Sequence, residues 1–261
     1  MAGLLATWVV AACQHAPSWV DPVVPPAAET VLERYRVEQL TRKQGPHHWS
    51  VEGVLELETP DQGRRNRIDL LGSGWEQVRM RVFGPFRQVA AELLTRGKRV
   101  RWVDPDHRAV TEVPATAVGM DYLMGVPIHP ERFFQVIMAR AGELAAPSAA
   151  FDPNGRRVRV RSRDGEQLWL DPTWGRIVER ASDPENLAPY RVVYGWPEAQ
   201  PDTSEVPLMP ERVVVTLEKP KVRLEFGLHR WRFPAAGPGD QLFDQAVKSG
   251  FAVSRPLGAG S

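Results

Sequence analysis

Three things are scarce in this chain of 261 residues: cysteine, net charge and long apolar runs. Its single cysteine, Cys13, excludes a disulfide framework, a multi-cysteine zinc site and an iron–sulfur cluster. The chain has 33 lysines and arginines against 32 aspartates and glutamates, so its net charge is only +1. This balance excludes the broad basic surface that binds nucleic acid. The N-terminal apolar run, residues 4–12, is shorter than the ~18–20 residues that span a bilayer as a helix.

The apolar run ends in the motif Val10-Ala11-Ala12-Cys13. The run has the length of the apolar part of a signal peptide. The motif resembles the bacterial lipobox, in which cleavage occurs before a cysteine that already carries diacylglycerol. The resemblance implies covalent acyl chains on Cys13 and no other cofactor, and two or more such chains hold a protein stably on a membrane. The alternative is an incidental or buried cysteine in an N-terminal helix.

The residues around Cys13 add two expectations. Residues 1–3 carry no lysine or arginine, so the signal peptide is expected to be truncated. The residue after Cys13 is Gln14 instead of the aspartate that typically retains lipoproteins in the inner membrane. The resemblance therefore implies the periplasmic face of the outer membrane of a Gram-negative bacterium.

The chain divides into four predicted segments around one folded domain. Residues 14–26 contain four prolines and no periodicity, as is typical of a tether. The predicted division is a signal peptide over residues 1–12, an acylated cysteine and tether over 13–26, a domain over 27–233 and a tail over 234–261.

Apolar residues recur with two different periods along the predicted domain. A spacing of three and four residues predicts an amphipathic helix over residues 27–39, with Val31, Leu32 and Tyr35 on its apolar stripe. Two more helices are predicted over residues 115–126 and 129–141. Alternation with a period of two predicts about ten or eleven short strands. These strands cover residues 49–58, 66–71, 76–83, 88–94, 99–103, 156–163, 166–171, 175–181, 190–195, 211–219 and 221–229.

Short alternating strands joined by turns predict an antiparallel meander. A sheet of this size must curl or close, and its inward positions are almost all apolar. The mid-chain helices are expected to plug one side of the sheet or to cover it as a lid. A filled hydrophobic core remains the alternative to an open cavity.

The order of several motifs resembles the outer-membrane lipoprotein receptor family LolB and, more distantly, the periplasmic carrier family LolA. The resemblance covers about 150–200 residues and begins near Arg81. The motifs are Gly84-Pro85-Phe86, Met124-Gly125-Val126-Pro127-Ile128, Tyr190-Arg191-Val192-Val193-Tyr194-Gly195 and Pro207-Leu208-Met209-Pro210, followed by residues 213–217, 222–226 and Trp231.

The resemblance implies a mainly β fold with helices, of the α+β class. This fold is a half-open antiparallel β-barrel of about eleven strands, with helices covering an apolar cavity. It also implies a non-enzymatic function, in which the protein accepts acylated lipoproteins from a periplasmic LolA-like carrier and inserts them into outer-membrane lipid. The residues expected to line the acyl-chain cavity are Leu55, Leu57, Val78, Met80, Val82, Phe133, Ile137, Val192, Tyr194 and Leu224.

One loop is implied to insert into the membrane. In the receptor family a bulky apolar residue projects from the loop between two strands, and Phe86, after Pro85, holds that position here. An exposed Phe86 would enter the acyl boundary, with Arg87 near lipid phosphates. The alternative is a Phe86 folded back onto the barrel. Arg87 stands where the family has glycine.

No residue set of a known catalytic or metal site is present. His47 and His48 are adjacent, so in a strand they point to opposite faces and do not form a metal site. The stretch Gly72-Ser73-Gly74 lacks the spacing of a nucleophile elbow. We therefore expect neither a metal nor enzyme activity. The alternative function left open is a lipoprotein of the same fold that binds another lipid or scaffolds an envelope complex.

Overall fold

The structure, a computed structural model, describes residues 25–74, 77–145, 149–152, 156–183, 189–198, 208–237, 243 and 250–256. The predicted signal peptide, Cys13 and most of the predicted tether lie outside these residues. None of the helices in the described residues is long and apolar enough to cross a membrane.

Three helices and fourteen strands make up the described part of the chain. The helices are α1 (Pro25–Gln44), α2 (Ala117–Met124) and α3 (Pro130–Ile137). The strands of the first half are β1 (His48–Glu58), β2 (Gly63–Ser73), β3 (Gln77–Phe83), β4 (Val89–Arg96), β5 (Arg99–Asp104) and β6 (Ala109–Pro114). Those of the second half are β7 (Ala150–Phe151), β8 (Val158–Arg161), β9 (Gln167–Leu170), β10 (Ile177–Ala181), β11 (Tyr190–Gly195), β12 (Arg212–Leu217), β13 (Val222–Arg232) and β14 (Ala252–Ser254).

All fourteen strands belong to one curved sheet that does not close. Its order is β14-β6-β5-β4-β3-β2-β1-β13-β12-β11-β10-β9-β8-β7. Every neighbouring pair is antiparallel except β14 and β6, which run parallel. The mainly β, half-open architecture predicted from the sequence is thus confirmed.

The number of strands differs from the prediction of about eleven, since β6, β7 and β14 were not predicted. Strands β7 and β14 have only two and three residues, too few for an alternating pattern to be recognised. Strand β6 has six residues, and it pairs along its full length with β5. Strand β14 also lies within the segment that the sequence assigned to a tail.

The core lies on one face of the sheet, called the inner face below. In β1, Trp49, Val51 and Leu55 are buried, whereas alternate residues such as Glu52 and Glu56 are only partly buried. This alternation follows from the period of two in a pleated strand. The predicted apolar stripe of α1 is also confirmed, because Val31, Leu32 and Tyr35 are all less than 5% exposed and belong to the same core cluster.

Helix α3 is shorter than the predicted segment of residues 129–141. It ends at Ile137, and Ala139 has the left-handed backbone angle φ = 52°. The carbonyls that end the helix accept hydrogen bonds from side chains of other elements, so continuation of the helix is not needed to satisfy them. Arg140 and Gly142 are typical of a helix C-terminus and predicted an end near residue 141. Hydrogen bonds from other elements instead end the helix at Ile137.

Close packing of Trp49 against Gly72 gives a test of the core. A Cβ atom at Gly72 would lie 2.1 Å from Cε2 of Trp49, whose Nε1 donates a 3.1 Å hydrogen bond to the carbonyl of Gly74. We expect Gly72→Ala to lower the free energy of unfolding by about 1–3 kcal/mol, because the indole must leave its position. Urea denaturation measures the change.

Gly63→Ala is the matched control in the same strand, because a Cβ atom there meets nothing within 4 Å. It should change stability by no more than about 0.5 kcal/mol. Equal effects of the two substitutions would contradict the packing described here.

Candidate functional site

The residues predicted to line an acyl-chain cavity lie together, on the inner face of the sheet and, for Phe133 and Ile137, on α3, which packs against it. Eight are buried and belong to one core cluster, and two are partly buried and pack against it. The eight are Leu55, Val78, Met80, Phe133, Ile137, Val192, Tyr194 and Leu224, and the two are Leu57 and Val82. The same cluster includes buried residues of α1 and α3. The inner face is therefore packed against these helices, and its use as an acyl-chain site stays a prediction.

Helix α2 covers the inner face near β5 and β6. Its only buried residues are Gly119 and Met120, and a Cβ atom at Gly119 would lie 2.2 Å from the carbonyl oxygen of Pro114 at the end of β6. Thr116 caps the helix by accepting a 3.1 Å hydrogen bond from the Gly119 N–H, and Gly125 ends it with φ = 67°. Glycine at position 119 thus allows the helix to approach the sheet closely.

The outer side of α2 exposes two large apolar side chains beside the charged Asp121. Val118 is 67% exposed and Tyr122 is 55% exposed, one turn apart on the helix. In the described part of the chain, no side chain of α2 forms a hydrogen bond or ion pair with the sheet. Packing of Met120, Leu123 and Met124 against the core is what holds the helix.

Helix α3, in contrast, is held by directed hydrogen bonds to carbonyls in its last turn and in the residues that directly follow it. The Tyr194 hydroxyl donates to Val136 O at 2.8 Å, and Arg42 Nη1 donates to Met138 O at 3.1 Å. Gln39 Nε2 donates to Ala139 O at 3.3 Å, and Arg180 Nη1 donates to Arg140 O at 2.6 Å. Four buried side chains of α3 complete the contact with the core, namely those of Phe133, Phe134, Val136 and Ile137.

A cluster of ionised groups is buried beside α3. The Glu166 carboxylate pairs with Arg180 of β10 and with Arg132 of α3, and it accepts a hydrogen bond from the Tyr190 hydroxyl. Arg180 is 0% exposed and Glu166 is 2% exposed. The pairing satisfies charges that would otherwise be very costly to bury.

The pKa values in this cluster follow from burial and pairing. Burial by itself raises the pKa of Glu166, but attraction to Arg180 and Arg132 and the hydrogen bond from Tyr190 outweigh it, so the pKa is lowered. Burial raises the pKa of Tyr190 to about 12. At neutral pH Glu166 is therefore ionised, and the protonated Tyr190 hydroxyl donates a hydrogen bond to its carboxylate.

Sequence reasoning did not identify Glu166 or Arg180. Glu166 directly follows the Asp164-Gly165 turn, where a charged residue is ordinarily solvated. The pairing of β9 with β10 shifts register between Ile177 and Glu179, so simple alternation does not place Arg180 on the inner face. The adjacent charges Glu179 and Arg180 in a short strand that is otherwise apolar were the available signal.

The loop between β3 and β4 presents Phe86 to solvent. Phe86 is 88% exposed, which rules out the alternative in which it folds back onto the sheet. The loop is a tight turn in which Arg87 N donates to Gly84 O at 3.1 Å and Phe86 N donates to Gln88 Oε1 at 3.1 Å. Pro85 precedes Phe86 in this turn.

Arg87 has the backbone conformation that glycine adopts most easily. Its φ is 62°, in the left-handed region where a side chain is sterically strained. This position is the one at which the resembling family has glycine.

The fold was compared with known proteins. No family model matches the chain, and no curated sequence matches it significantly. Among solved structures, an outer membrane lipoprotein-sorting protein domain from Vibrio parahaemolyticus is similar, with a TM-score of 0.54 and 11% identity over 84% of this chain and 97% of that one. A DUF1329 family protein from Desulfovibrio piger has a TM-score of 0.56 and 9% identity over 82% of this chain and 97% of that one.

A LolA superfamily protein from Nitrosomonas europaea is also matched, with a TM-score of 0.48 and 13% identity over 83% of this chain and 96% of that one. At these identities the likeness concerns the fold. An open, curved antiparallel sheet whose inner face is covered by three helices is the architecture predicted from the motifs. The chain therefore shares its fold with the lipoprotein-sorting domain from Vibrio parahaemolyticus and the DUF1329 protein, and the half-open, helix-covered sheet predicted from the sequence is confirmed.

Proposed function

We propose that this protein accepts acylated lipoproteins on its inner face and inserts them into the outer membrane without chemical change of the cargo. The observation that carries the proposal is an apolar inner face covered on one side by a helix, α2, that packing alone holds. Each buried CH₂ of an acyl chain contributes ~0.8 kcal/mol to binding. The free energy gained by burying two or three acyl chains would therefore offset the free-energy cost of displacing one short helix.

The unequal attachment of the two helices supports an opening at α2. Helix α3 is fixed by hydrogen bonds from Tyr194, Arg42 and Arg180, and by the ion pair of Arg132 with Glu166. Movement of α3 would leave these buried groups without partners. Movement of α2 exposes apolar residues only, and its outer residues Val118 and Tyr122 are already exposed. Acyl chains would thus enter beside β5 and β6.

The proposed location and partners come from the sequence. Cys13, which lies outside the described residues, would carry the acyl chains that anchor the protein, and Gln14 favours the outer membrane. A periplasmic LolA-like carrier would supply the cargo. Phe86 and Pro85 would enter outer-membrane lipid during delivery, because Phe86 projects from a turn that is fixed by hydrogen bonds.

A transfer assay tests acceptance of cargo. Purified Cys13→Ala protein is incubated with a LolA-like carrier loaded with a radiolabelled triacylated lipoprotein, and the label that co-purifies with each protein is measured. We expect label to move to this protein, because its inner face would bury the acyl chains. The matched cargo is the same lipoprotein without its acylated cysteine, and it should not be retained.

Two results of this assay would contradict the proposal. Retention of both cargoes alike would mean that acyl chains are not recognised. Binding of free phospholipid without any binding of lipoprotein would favour the alternative of a same-fold protein that binds another lipid.

Phe86→Glu tests the proposed membrane insertion. Because Phe86 is 88% exposed, the substitution should change the free energy of unfolding by no more than about 0.5 kcal/mol. It should leave acceptance of cargo intact and abolish delivery to liposomes, since a carboxylate does not enter the acyl boundary. Phe86→Leu is the matched control and should keep delivery. Full delivery by the Phe86→Glu protein would exclude this role.

Glu166→Gln tests whether the buried cluster fixes α3. The substitution removes the carboxylate that pairs with the buried Arg180 and leaves Arg132 only its 3.5 Å contact with Asp164, so we expect a loss of about 3–5 kcal/mol in the free energy of unfolding near pH 7. Glu143→Gln is the control: its side chain is 71% exposed and pairs with Arg163, and such a pair contributes about 0–1 kcal/mol.

The pH dependence of the free energy of unfolding gives an independent test of the Glu166→Gln protein. The pKa of Glu166 is lowered in the folded state, so its contribution is fully present above the ordinary carboxyl pKa of about 4.3 and is lost as the pH falls through the folded-state value. The stability difference between wild type and Glu166→Gln should therefore shrink below about pH 4. A difference that is constant from neutral to acidic pH would contradict this assignment.

A further inference from the structure

Strand β6 lies at one edge of the sheet, beside the short strand β14. It pairs with β5 over its whole length, Ala109–Pro114. On its other side, among the described residues, it pairs only with β14, from Ala109 to Thr111. This is the one parallel pair in the described sheet, and parallel pairs are slightly less stable per residue than antiparallel ones. The edge of β6 is thus covered by a short and relatively weak pairing.

Strand β14 contributes no side chain to the core. All its residues, Ala252–Ser254, are exposed. Apart from its backbone pairing, the Ser254 hydroxyl donates to the Thr111 hydroxyl at 3.2 Å, and the half-exposed Arg255 lies 3.3 Å from the carboxylate of Glu112. Glu112 also pairs with two arginines of β5, so it keeps partners without Arg255. Departure of β14 therefore takes none of its own side chains out of the core and leaves no buried carboxylate unpaired.

Removal of β14 would leave a row of backbone groups on β6 ready to pair. The N–H of Ala252 donates to the carbonyl of Arg108 at 2.8 Å. Backbone groups of alternate residues point to the same side of a strand, so those of Val110 and Glu112 face the same side as the Arg108 carbonyl. The row ends at Pro114, which has no N–H. The backbone groups of Arg108, Val110 and Glu112 on this side are called the β6 edge below.

The β6 edge adjoins the helix beside which acyl chains would enter. Helix α2 follows β6 directly in the chain, and a Cβ atom at Gly119 of α2 would lie 2.2 Å from the carbonyl oxygen of Pro114. A lipoprotein carries its acyl chains on its first residue, the cysteine before which its signal peptide is cleaved. The peptide that follows this cysteine therefore leaves the acyl chains at the place where they enter the protein. For entry beside β5 and β6, that place is next to the β6 edge.

We propose that the extended N-terminal peptide of an acylated cargo adds to the β6 edge as a strand, in the place of β14. The inference rests on the proposed function, because bound acyl chains hold the peptide beside the edge and so raise its effective concentration there. An incoming strand that runs antiparallel to β6 forms the more stable kind of pair. Main-chain hydrogen bonds provide affinity for an extended peptide whatever most of its side chains are, so cargoes of different sequence are accepted.

Three synthetic lipopeptides test strand addition to the purified Cys13→Ala protein. Each has a cysteine that carries dioctanoylglycerol, followed by the same peptide of about eight residues. One has an unmodified backbone, and the other two are N-methylated at the odd or at the even positions. A strand at a sheet edge turns alternate N–H groups to its partner. Only one of the two methylated lipopeptides should therefore lose affinity, by roughly tenfold, as measured by competition with a fluorescent lipopeptide.

A disulfide that fixes β14 in place assigns the binding to the β6 edge. Ala109 and Ala252 are register partners, and the Cα atoms of neighbouring strands are about 4.7–4.9 Å apart, within the range of roughly 4.4–6.8 Å that a disulfide bridges. Because Cys13 is the single cysteine, Ala109→Cys with Ala252→Cys in the Cys13→Ala protein forms one defined bridge. The oxidised protein should bind the unmodified lipopeptide about tenfold more weakly than the same protein when reduced.

The outcomes separate this inference from the proposed function. Equal affinity of the two N-methylated lipopeptides would overturn strand addition and leave acceptance of acyl chains in place. Equal binding by the oxidised and the reduced protein would exclude the β6 edge as the site. If none of the three lipopeptides binds, acceptance of acylated cargo is itself contradicted, and the inference is overturned with it.

Discussion

The buried carboxylate of Glu166 is the interaction on which the arrangement of this protein depends. It compensates Arg180, which is completely buried, and Arg132, which belongs to α3. Because Arg180 also donates to the carbonyl of Arg140, the same cluster fixes the chain at both ends of α3. An apolar sheet surface alone would let a short helix slide, whereas an ion pair at low dielectric gives it one position.

This arrangement divides the cover of the inner face into a fixed part and a part held by packing. Helix α3 contributes buried aromatic residues and directed hydrogen bonds, and α2 contributes little beyond Met120 and its partly buried neighbours. Under the proposed function, binding and release of cargo would need both kinds of element. Helix α3 keeps the core in one arrangement. Helix α2 is weakly held, and elements that move in proteins typically belong to such regions of low stability.

Much of the architecture could be predicted from the sequence because periodicity reports which side of an element is buried. The alternation in β1 and the stripe of Val31, Leu32 and Tyr35 in α1 are read correctly in this way. The failures have physical causes. The register shift in β10 hides the inward position of Arg180, and side-chain hydrogen bonds end α3 earlier than its own sequence indicates. Strand β14 depends on a non-local parallel pairing with β6, which no local pattern reports.

The candidate site was predictable to a similar degree. The inward apolar residues and the exposed Phe86 follow from strand alternation and from the loop motif. The polar groups beside them do not, because Glu166, Arg180 and Arg132 become interpretable only when distant segments are brought together. An ion pair between residues that are far apart in the chain produces no periodic pattern by which a single sequence could reveal it.

The two edges of the open sheet have a consequence for the behaviour of the protein in solution. An unpaired edge strand offers free N–H and C=O groups to any other chain, and a long edge of this kind promotes aggregation. Here the edges are β7, with two residues, and β14, with three, and all three residues of β14 are exposed. Along β7 and β14 themselves, little free backbone is offered to another chain. Among the described residues the sheet can thus stay open, with short outermost strands, without closing into a barrel.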